Sequence, residues 1–334
     1  MQRARLRDVA ELAGCSVSAV SLVVNGRDEG RIAPDLRARI LDAVDALHYR
    51  PNGSARDLAT RSPSTVALVC PDVRNPFFGD VLYGVQAALE GRFGIDLVVG
   101  SGGSDYSAQT VRGAQGGNIA GLILANPAAD VMEGFVATCP TVLIDTPDSA
   151  HGHARVDLDV DDAGRQLADH LSGLGHRRVG YLDLGRGKQT FERRRASLAS
   201  GLAQHGGELV DTASATDVTV HSGTQAFLEA WPGWEASGVT ALVCADDVLA
   251  YGALLGARSL GIEIPGRLSV AGFNDIAYSE LVAPALTTVR FDALELGRRA
   301  GELLLAEIDG APSESVVLAS RLVVRESTAT APAA

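Results

Sequence analysis

The stretch Leu6-Arg7-Asp8-Val9-Ala10-Glu11-Leu12-Ala13-Gly14-Cys15-Ser16-Val17-Ser18-Ala19-Val20-Ser21-Leu22-Val23-Val24-Asn25-Gly26 sets the architecture of the N-terminus. Leu6, Val9, Ala10 and Ala13 recur at helical spacing, with Asp8 and Glu11 on the other side. Gly14 breaks the pattern. Ser16 then suits the N-cap of a second helix over about Val17–Val24, which Asn25-Gly26 ends. Val20, Val23 and Val24 form its inner face. Pro34 suits the first position of a third helix with the stripe Leu36, Ile40, Val44 and Leu47. Two short helices across a glycine turn make a helix-turn-helix. Periodicity alone also fits a small three-helix interaction module. The outward positions Val17, Ser18, Ser21 and Leu22 favour a DNA role, being small or apolar groups suited to base edges and thymine methyls. Arg3, Arg5 and Arg7 cluster where phosphates could be contacted.

Charge distribution agrees with that reading. The 334 residues carry a net charge of −12, unusual for a DNA binder. Residues 1–61, however, hold ten Arg against eight Asp and Glu, a charge of +2, and the rest carries −14. Positive charge is thus concentrated where DNA would lie. The length suggests two or three domains. With 46% hydrophobic and 21% charged residues the chain is globular. Its apolar runs are strand-sized, short of the roughly 18 residues of a membrane helix. No apolar segment follows the N-terminal arginines, so no secretory signal is read and a cytoplasmic location is expected. Cys15, Cys70, Cys139 and Cys244 form no CxxC pair and read as reduced thiols, not as a disulfide or metal site.

After Ser62-Pro63-Ser64 strand-like runs alternate with helical stretches. Thr65–Cys70, Ile95–Val99, Leu122–Ala125 and Thr141–Ile144 are strand-like, with helices expected at Asp80–Arg92 and about Gln109–Ile119. The rhythm repeats with a helix at Asp162–Leu174, strands at Arg178–Leu182, Ala241–Cys244 and Leu268–Gly272, and helices at Phe191–His205 and Val248–Leu260. Such runs indicate parallel sheets covered on both faces. Two similar halves imply two lobes with a cleft, and ligands in open α/β sheets sit at the carboxyl ends of strands. The residues there are Pro71–Phe78, Asp145, Asp246-Asp247 and Asn274-Asp275. Trp231 and Trp234 fall in a Pro/Gly segment expected to be peripheral.

The run Leu6–Gly26, together with His48-Tyr49-Arg50-Pro51-Asn52, Ala55 and Leu58, closely resembles the headpiece of the LacI/GalR family of repressors. Leu174-Gly175-His176-Arg177-Arg178-Val179, Ala245-Asp246-Asp247, Val270-Ala271-Gly272-Phe273-Asn274-Asp275 and Leu286-Thr287-Thr288-Val289 resemble the family's effector domain, itself similar to periplasmic sugar-binding proteins. The resemblance implies a small all-α headpiece joined to a two-lobed α/β domain of the periplasmic-binding-protein type. The expected organisation is a helix-turn-helix over 1–48, a hinge helix over 49–61 and an effector-binding and dimerisation domain over 62–330. Lobe one would span about 62–160 plus 290–318, and lobe two about 161–289 plus 319–330. Val17, Ser18 and Leu22 match the base-reading positions of the recognition helix, and Arg5, Ser16, Ser21 and Asn25 are further candidate DNA contacts beside them. Asn52, Ala55 and Leu58 match a hinge that enters the minor groove, with Leu58 as the leucine wedged between base pairs. Arg194, Asp246 and Asn274 match effector-binding positions, Phe77 or Phe78 could stack on a sugar face, and Asp72, Asn75 and Asp145 complete the candidate set from the strand ends. Arg194, the middle of three consecutive arginines, aligns with one that forks onto effector hydroxyls or carboxylates. Asp246 and Asn274 stand where the family carries Asn and Asp, an inverted donor–acceptor pattern. Leu22 replaces a polar or basic residue, and the loop Asn25–Ile32 carries unexpected acids. The implied protein is a cytoplasmic, homodimeric repressor that binds a pseudo-palindromic operator and is released by a small-molecule effector, a sugar or sugar derivative. A corepressor-dependent regulator sensing a nucleobase is the alternative.

Other chemistries leave weaker signals. Gly100-Ser101-Gly102-Gly103 follows a strand but lacks the G-x-G-x-x-G spacing and any phosphate-binding Lys-Ser/Thr. Asp157, Asp159, Asp161 and Asp162 lack the Gly and distal Glu of a calcium loop, and acids before a helix N-terminus account for them. His151-Gly152-His153 reads as a surface loop. No G-x-S-x-G elbow occurs. Neither an enzyme, a metal site nor a cofactor is expected, and no membrane partner. A transport receptor is set aside by the helix-turn-helix.

Overall fold

A computed structural model describes residues 4–24, 28–49, 63–100, 105–146, 152–184 and 189–333. The chain divides into two compact units, Met1–Ser64 and Thr65–Ala334.

In the first unit, α1 spans Leu6–Ala13, α2 Val17–Val24 and α3 Pro34–Ala46. Each boundary has a local cause. The Arg5 backbone N–H donates to Asp8 Oδ2 at 2.8 Å. Gly14 closes α1 with a φ of 63°, a value glycine adopts without penalty. Ser16 Oγ accepts from the Ala19 N–H at 3.2 Å, capping α2. Val9, Ala10, Ala13, Val20, Val23, Ile40, Ala43 and Tyr49 form the buried core. The acidic loop has a structural part to play, since Asp28 is buried and accepts from Arg37 Nε at 2.7 Å, tying the loop to α3.

The second unit holds two six-stranded sheets. One runs in the order β11-β5-β4-β3-β1-β2. Its strands are β1 Thr65–Cys70, β2 Gly94–Val99, β3 Gly121–Ala125, β4 Thr141–Ile144, β5 Ala154–Leu158 and β11 Val316–Leu318, all parallel. The other runs β12-β10-β9-β8-β6-β7. Its strands are β6 Arg178–Asp183, β7 Glu208–Ser214, β8 Ala241–Cys244, β9 Ser269–Asn274, β10 Thr287–Arg290 and β12 Arg321–Val323. Only the edge strand β12 is antiparallel to its neighbour. The sheets define two lobes, and the chain crosses between them after β5, after β10 and between β11 and β12.

The helices of this unit are α4 Pro76–Leu89, α5 Ala108–Gln115, α6 Ala129–Met132, α7 Val160–Gly173, α8 Gln189–Gln204, α9 Val220–Ala236, α10 Asp247–Ser259 and α11 Ala293–Ile308. α4 begins earlier than the apolar pattern suggests. Asn75 caps it through Phe77 N–H at 3.1 Å and Pro76 fills its first position. β5, β7 and α9 have no counterpart in the hydrophobic pattern: Arg155 and Asp157 interrupt β5, β7 is an exposed edge, and Pro232 lies inside α9.

Trp231 and Trp234 are core residues, contrary to the expectation from their Pro/Gly setting. Gly180 on β6 explains this, since a Cβ there would meet the Trp234 ring at 3.1 Å. The bare strand gives the indole a flat seat, and burying so large a ring outweighs the local cost of Pro232.

α4 and α11 touch through glycines. A Cβ on Gly84 would lie 2.1 Å from Leu294 O, and one on Gly297 would lie 2.0 Å from Val81 O. Backbone cannot give way as a flexible side chain can. Gly84→Ala is expected to cost about 2–3 kcal/mol by forcing the helices apart. Thermal unfolding checks this, and an unchanged midpoint would show the pair to be loosely packed.

Candidate functional site

The first unit presents α2 as its candidate recognition surface. Val17 and Ser18 are exposed, Ser21 and Leu22 half-buried, and Arg5 and Ser16 exposed at the helix starts. Hydrophobic spacing turns Ala19, Val20 and Val23 inward and Val17 and Ser18 outward. The candidates Asn25, Asn52, Ala55 and Leu58 lie outside the described residues.

In the second unit the carboxyl ends of strands from both sheets converge on one cleft. It encloses about 580 Å³ of empty space, part of it open to solvent. Lobe one contributes Asp72, Asn75, Phe77, Phe78 and Asp145, and lobe two Arg194, Asp246 and Asn274. The structure therefore brings all eight candidate positions of the effector domain together.

A chain of hydrogen bonds links them across the lobes. Asn75 Nδ2 donates to Asp246 Oδ2 at 2.8 Å, and Asn274 Nδ2 donates to the same oxygen at 2.8 Å. Asp246 Oδ1 caps α10 by accepting from Val248 N–H at 2.8 Å. Arg194 Nη2 donates to Asn274 Oδ1 at 3.1 Å and its Nη1 to Ala245 O at 2.6 Å. The inverted polarity at 246 and 274 thus has a use: the acceptor-only carboxylate collects donors from both asparagines. The Asn75–Asp246 bond spans the lobes.

The three arginines diverge as helical geometry requires. Arg193 pairs with Asp161 at 3.1 Å and Arg195 with buried Asp183 at 2.9 Å. Arg194 alone of them lines the cleft, with Phe191, Phe273 and Phe291 ring centroids 5.5, 5.1 and 4.8 Å from its guanidinium carbon. Such stacking compensates a buried cation for lost water.

Asp72 is held by Arg74 through Nε and Nη2, at 3.0 and 2.7 Å. Asp145 is different. Its Oδ1 is buried without a hydrogen-bond partner. Burial pushes its carboxyl above the usual range, with the nearby charge of Arg194 acting the other way. Burial raises Asp246 as well, and its Val248, Asn75 and Asn274 bonds oppose this. Asn126, Asp145, Asn274 and Asp275 all adopt positive φ, at 49°, 55°, 115° and 54°. Left-handed non-glycine residues at strand ends mark a site where the fold holds strain.

Phe77 is buried and Phe78 half-buried, their rings perpendicular at 5.5 Å. Phe77 both packs in the core and faces the cleft. Sequence reasoning missed Asn126, Thr190, Phe191 and Val218. Asn126 follows β3 and obeys the carboxyl-end rule. Thr190 and Phe191 lie one helical turn before Arg194, a spacing that would have found them. Val218 precedes α9, an element without a periodic signal.

The acidic run after β4 is structural. Asp157 accepts from Thr146 N–H at 3.0 Å and pairs with Arg155 at 2.8 Å. Asp159 caps α7 through Asp162 N–H at 3.0 Å, and Asp162 binds Arg165, Gln166 and Ser320. Cys15, Cys70, Cys139 and Cys244 are free thiols, and burial pushes Cys70 up to about 11. Among the described residues, no group of three or more His, Cys, Asp and Glu could hold a metal, and no helix is long and apolar enough to cross a membrane.

Comparison with known proteins matches both parts of the chain. The profile of bacterial regulatory proteins of the lacI family matches residues 5–52, and that of the periplasmic binding protein-like domain matches 168–328. The chain is 32% identical over 337 residues to the HTH-type transcriptional regulator GalR of Escherichia coli K12, covering 98% of this chain and 96% of that protein. It is 34% identical over 350 residues to MalR of Streptomyces coelicolor, covering 98% and 97%. A solved structure of a complex of the transcriptional regulator CelR with cellobiose superposes with a TM-score of 0.68 at 27% identity, covering 97% and 100%. These relatives are transcriptional regulators and not enzymes. The helix-turn-helix, the two-lobed domain and this end-to-end similarity make the chain a member of the lacI family of bacterial regulatory proteins, DNA-binding transcriptional regulators.

Proposed function

We propose that this regulator is a homodimeric repressor that reads a pseudo-palindromic operator with α2 and is released when a sugar or sugar derivative binds the cleft between its lobes. The observation that carries this is the cross-lobe cluster Asn75–Asp246–Asn274–Arg194, whose polar groups converge on a cleft flanked by Phe77 and Phe78. Stacking on an aromatic face with hydroxyls held by carboxylate and amide groups is a mode by which a sugar is bound. Relatives point the same way, since one binds cellobiose. Tyr278 and Leu281 after β9 and Leu255 on α10 are 56%, 74% and 50% exposed. Large exposed apolar groups of this kind suit a subunit interface. Two recognition helices would then enter successive major grooves, with half-sites about 10 base pairs apart.

Effector and operator are coupled through one free energy, so operator DNA must weaken the effector by the factor by which effector weakens DNA. The test is thermal unfolding of the full-length protein over a panel of sugars, sugar phosphates and nucleobases, followed by operator retardation with each hit. A ligand at 100 times its dissociation constant adds about 2.7 kcal/mol. A sugar that shifts the midpoint and releases DNA supports the reading. A nucleobase that strengthens DNA binding would establish corepression instead.

Two further outcomes are expected. Leu58→Ala should weaken specific operator binding by about tenfold or more, with nonspecific binding nearly unchanged, if Leu58 is the minor-groove wedge. Equal losses on both DNAs would remove that role. Removing residues 1–61 should leave a folded protein that binds effector but not operator, because the unit beginning at Thr65 has its own core. Loss of effector binding would show that the units depend on each other.

A further inference from the structure

A carboxylate beside a DNA-reading helix ordinarily repels phosphate, yet the chain that joins α2 to α3 carries Asp28 and Glu29. The two acids differ in exposure. Glu29 is exposed, whereas Asp28 is only 8% exposed and presents little of its charge outward. A buried carboxylate needs partners to offset its lost water.

Those partners are specific. The Asp28 backbone carbonyl accepts from Arg31 N–H at 3.0 Å and Ile32 N–H at 3.1 Å, closing a turn in which Gly30 has a φ of 70°. Its Oδ2 accepts from Arg37 Nε at 2.7 Å. That bond uses one of the five N–H groups of the guanidinium. Among the described residues Arg37 Nη1 and Nη2 donate to nothing, and the side chain is 53% exposed. An arginine held through Nε keeps its outer edge, two parallel prongs, for a phosphate. Arg37 is bonded to the chain leaving α2, so that edge lies at the rim of the surface α2 presents. Backbone phosphates flank a helix docked in a major groove.

Resting on the reading of α2 as the helix that enters the groove, we infer that Asp28 is a positioning residue for DNA binding: it fixes the Arg37 guanidinium through Nε so that Nη1 and Nη2 receive a backbone phosphate. The acid strengthens DNA binding by orienting a cation, at a depth where its own charge is covered. An unheld arginine would lose rotamer freedom on meeting DNA, and the Asp28 bond removes much of that loss beforehand. A phosphate contact carries no base information, so it acts alike on operator and other DNA.

Full-length protein would select its preferred duplex from a random library of about 20 base pairs. Affinity for that duplex and for a scrambled one would then be followed by retardation from about 50 to 200 mM salt. Arg37→Gln places an amide nitrogen where Nε stands, keeping the donor to Asp28 and removing only the outer edge. Its slope of log affinity against log salt should be shallower by about 0.9 per subunit, with affinity about eightfold lower per subunit at 0.1 M salt on both duplexes. Asp28→Ala should lose at least about half that slope although it removes a negative charge, and should cost no further slope when added to Arg37→Gln. Glu29→Ala removes the same charge one residue along and should bind both duplexes at least as tightly as wild type.

An unchanged slope in Arg37→Gln would overturn the phosphate contact. Tighter binding by Asp28→Ala, or equal losses in Asp28→Ala and Glu29→Ala, would overturn the positioning role. Thermal unfolding checks each variant. If Asp28→Ala fails to fold, Arg37→Lys decides, since a lysine keeps the charge without the Nε anchor and should bind at least about threefold more weakly. Wild-type affinity in Arg37→Lys would then overturn the positioning role. Val17→Asp tests the reading underneath, because the first turn of a helix tolerates an acid and a DNA groove does not. Wild-type binding by Val17→Asp would overturn the role of α2 and this inference with it, whereas failure of Arg37→Gln alone leaves the role of α2 standing.

Discussion

Arg194→Ala is expected to lower effector affinity by about 100-fold or more while operator affinity stays within about threefold, because truncating one partner of a buried charged network costs about 3–5 kcal/mol. The guanidinium fills the space among Phe191, Phe273 and Phe291 and holds Ala245 O and Asn274 Oδ1. Without it Asn274 loses the bond that orients its amide, and the Nδ2 donor to Asp246 is no longer fixed. Asp246 then holds Asn75 across the cleft with one constraint fewer. Arg194 is thus a positioning residue, acting on the ligand through its neighbours. Arg194→Lys tests this, since a lysine offers a point charge and cannot span both acceptors in one plane. It should lose most of the affinity, whereas a residue acting by charge alone would be rescued. Calorimetry with effector and DNA retardation separate the two activities. An unchanged dose–response in Arg194→Ala would remove it from the effector mechanism.

The second large effect concerns Asp247, which sits beside Asp246 but turns into the core. Its Oδ1 accepts from Thr288 Oγ1 at 2.6 Å, and its Oδ2 from Ser279 Oγ at 2.8 Å and Ile276 N–H at 3.1 Å. The Ser279 hydroxyl also meets Tyr251 OH at 2.8 Å. One carboxyl thereby fastens the end of β8, the turn after β9 and the strand β10. Complete burial pushes it up to about 8, Asp246 adding to the rise and the Thr288, Ser279 and Ile276 bonds opposing it. The folded value lies above the unfolded one, so the folded state keeps a proton that the unfolded chain releases. This contribution is fully present below the unfolded value near 4 and is lost as pH rises through about 8. Asp145, Asp157 and Asp246 are raised by burial and act in the same direction. His170 and His176 are lowered, so they matter only at more acid pH. Between pH 6.5 and 8.5 the full-length protein should lose about 2 kcal/mol from Asp247, several degrees in Tm. Asp247→Asn, which keeps the shape and cannot ionise, should remove that part of the slope. A variant that retains the full wild-type slope would place the titration elsewhere.

Both effects rest on residues whose type was visible in the sequence and whose environment was not. Asp246-Asp247 was marked by its place after an apolar run, yet nothing local says that one faces the cleft and the other the core. That division follows from the N-cap at Asp246, which fixes the first turn of α10. Arg194 stood among three equivalent arginines until the packing of α8 turned one to the cleft and gave the other two carboxylate partners.

By itself, the sequence determined the helix-turn-helix, the alternation that builds parallel sheets, and the strand ends at which a ligand site had to lie. These follow from short-range physics: a glycine at φ 63°, a serine cap, a proline at a first helical turn, and apolar runs of strand length. The tertiary structure alone decided what depends on partners far along the chain. Ala154–Leu158 is a strand because β4 and β11 pair on its two sides, despite Arg155 and Asp157. Trp234 is core because Gly180 leaves room for it, and Val218 reaches the cleft because α9 carries its loop there. The Asn75–Asp246 bond across the lobes joins residues 171 apart. Local propensity cannot encode such a contact, since its energy exists only once two separately folded lobes have brought donor and acceptor out of water together.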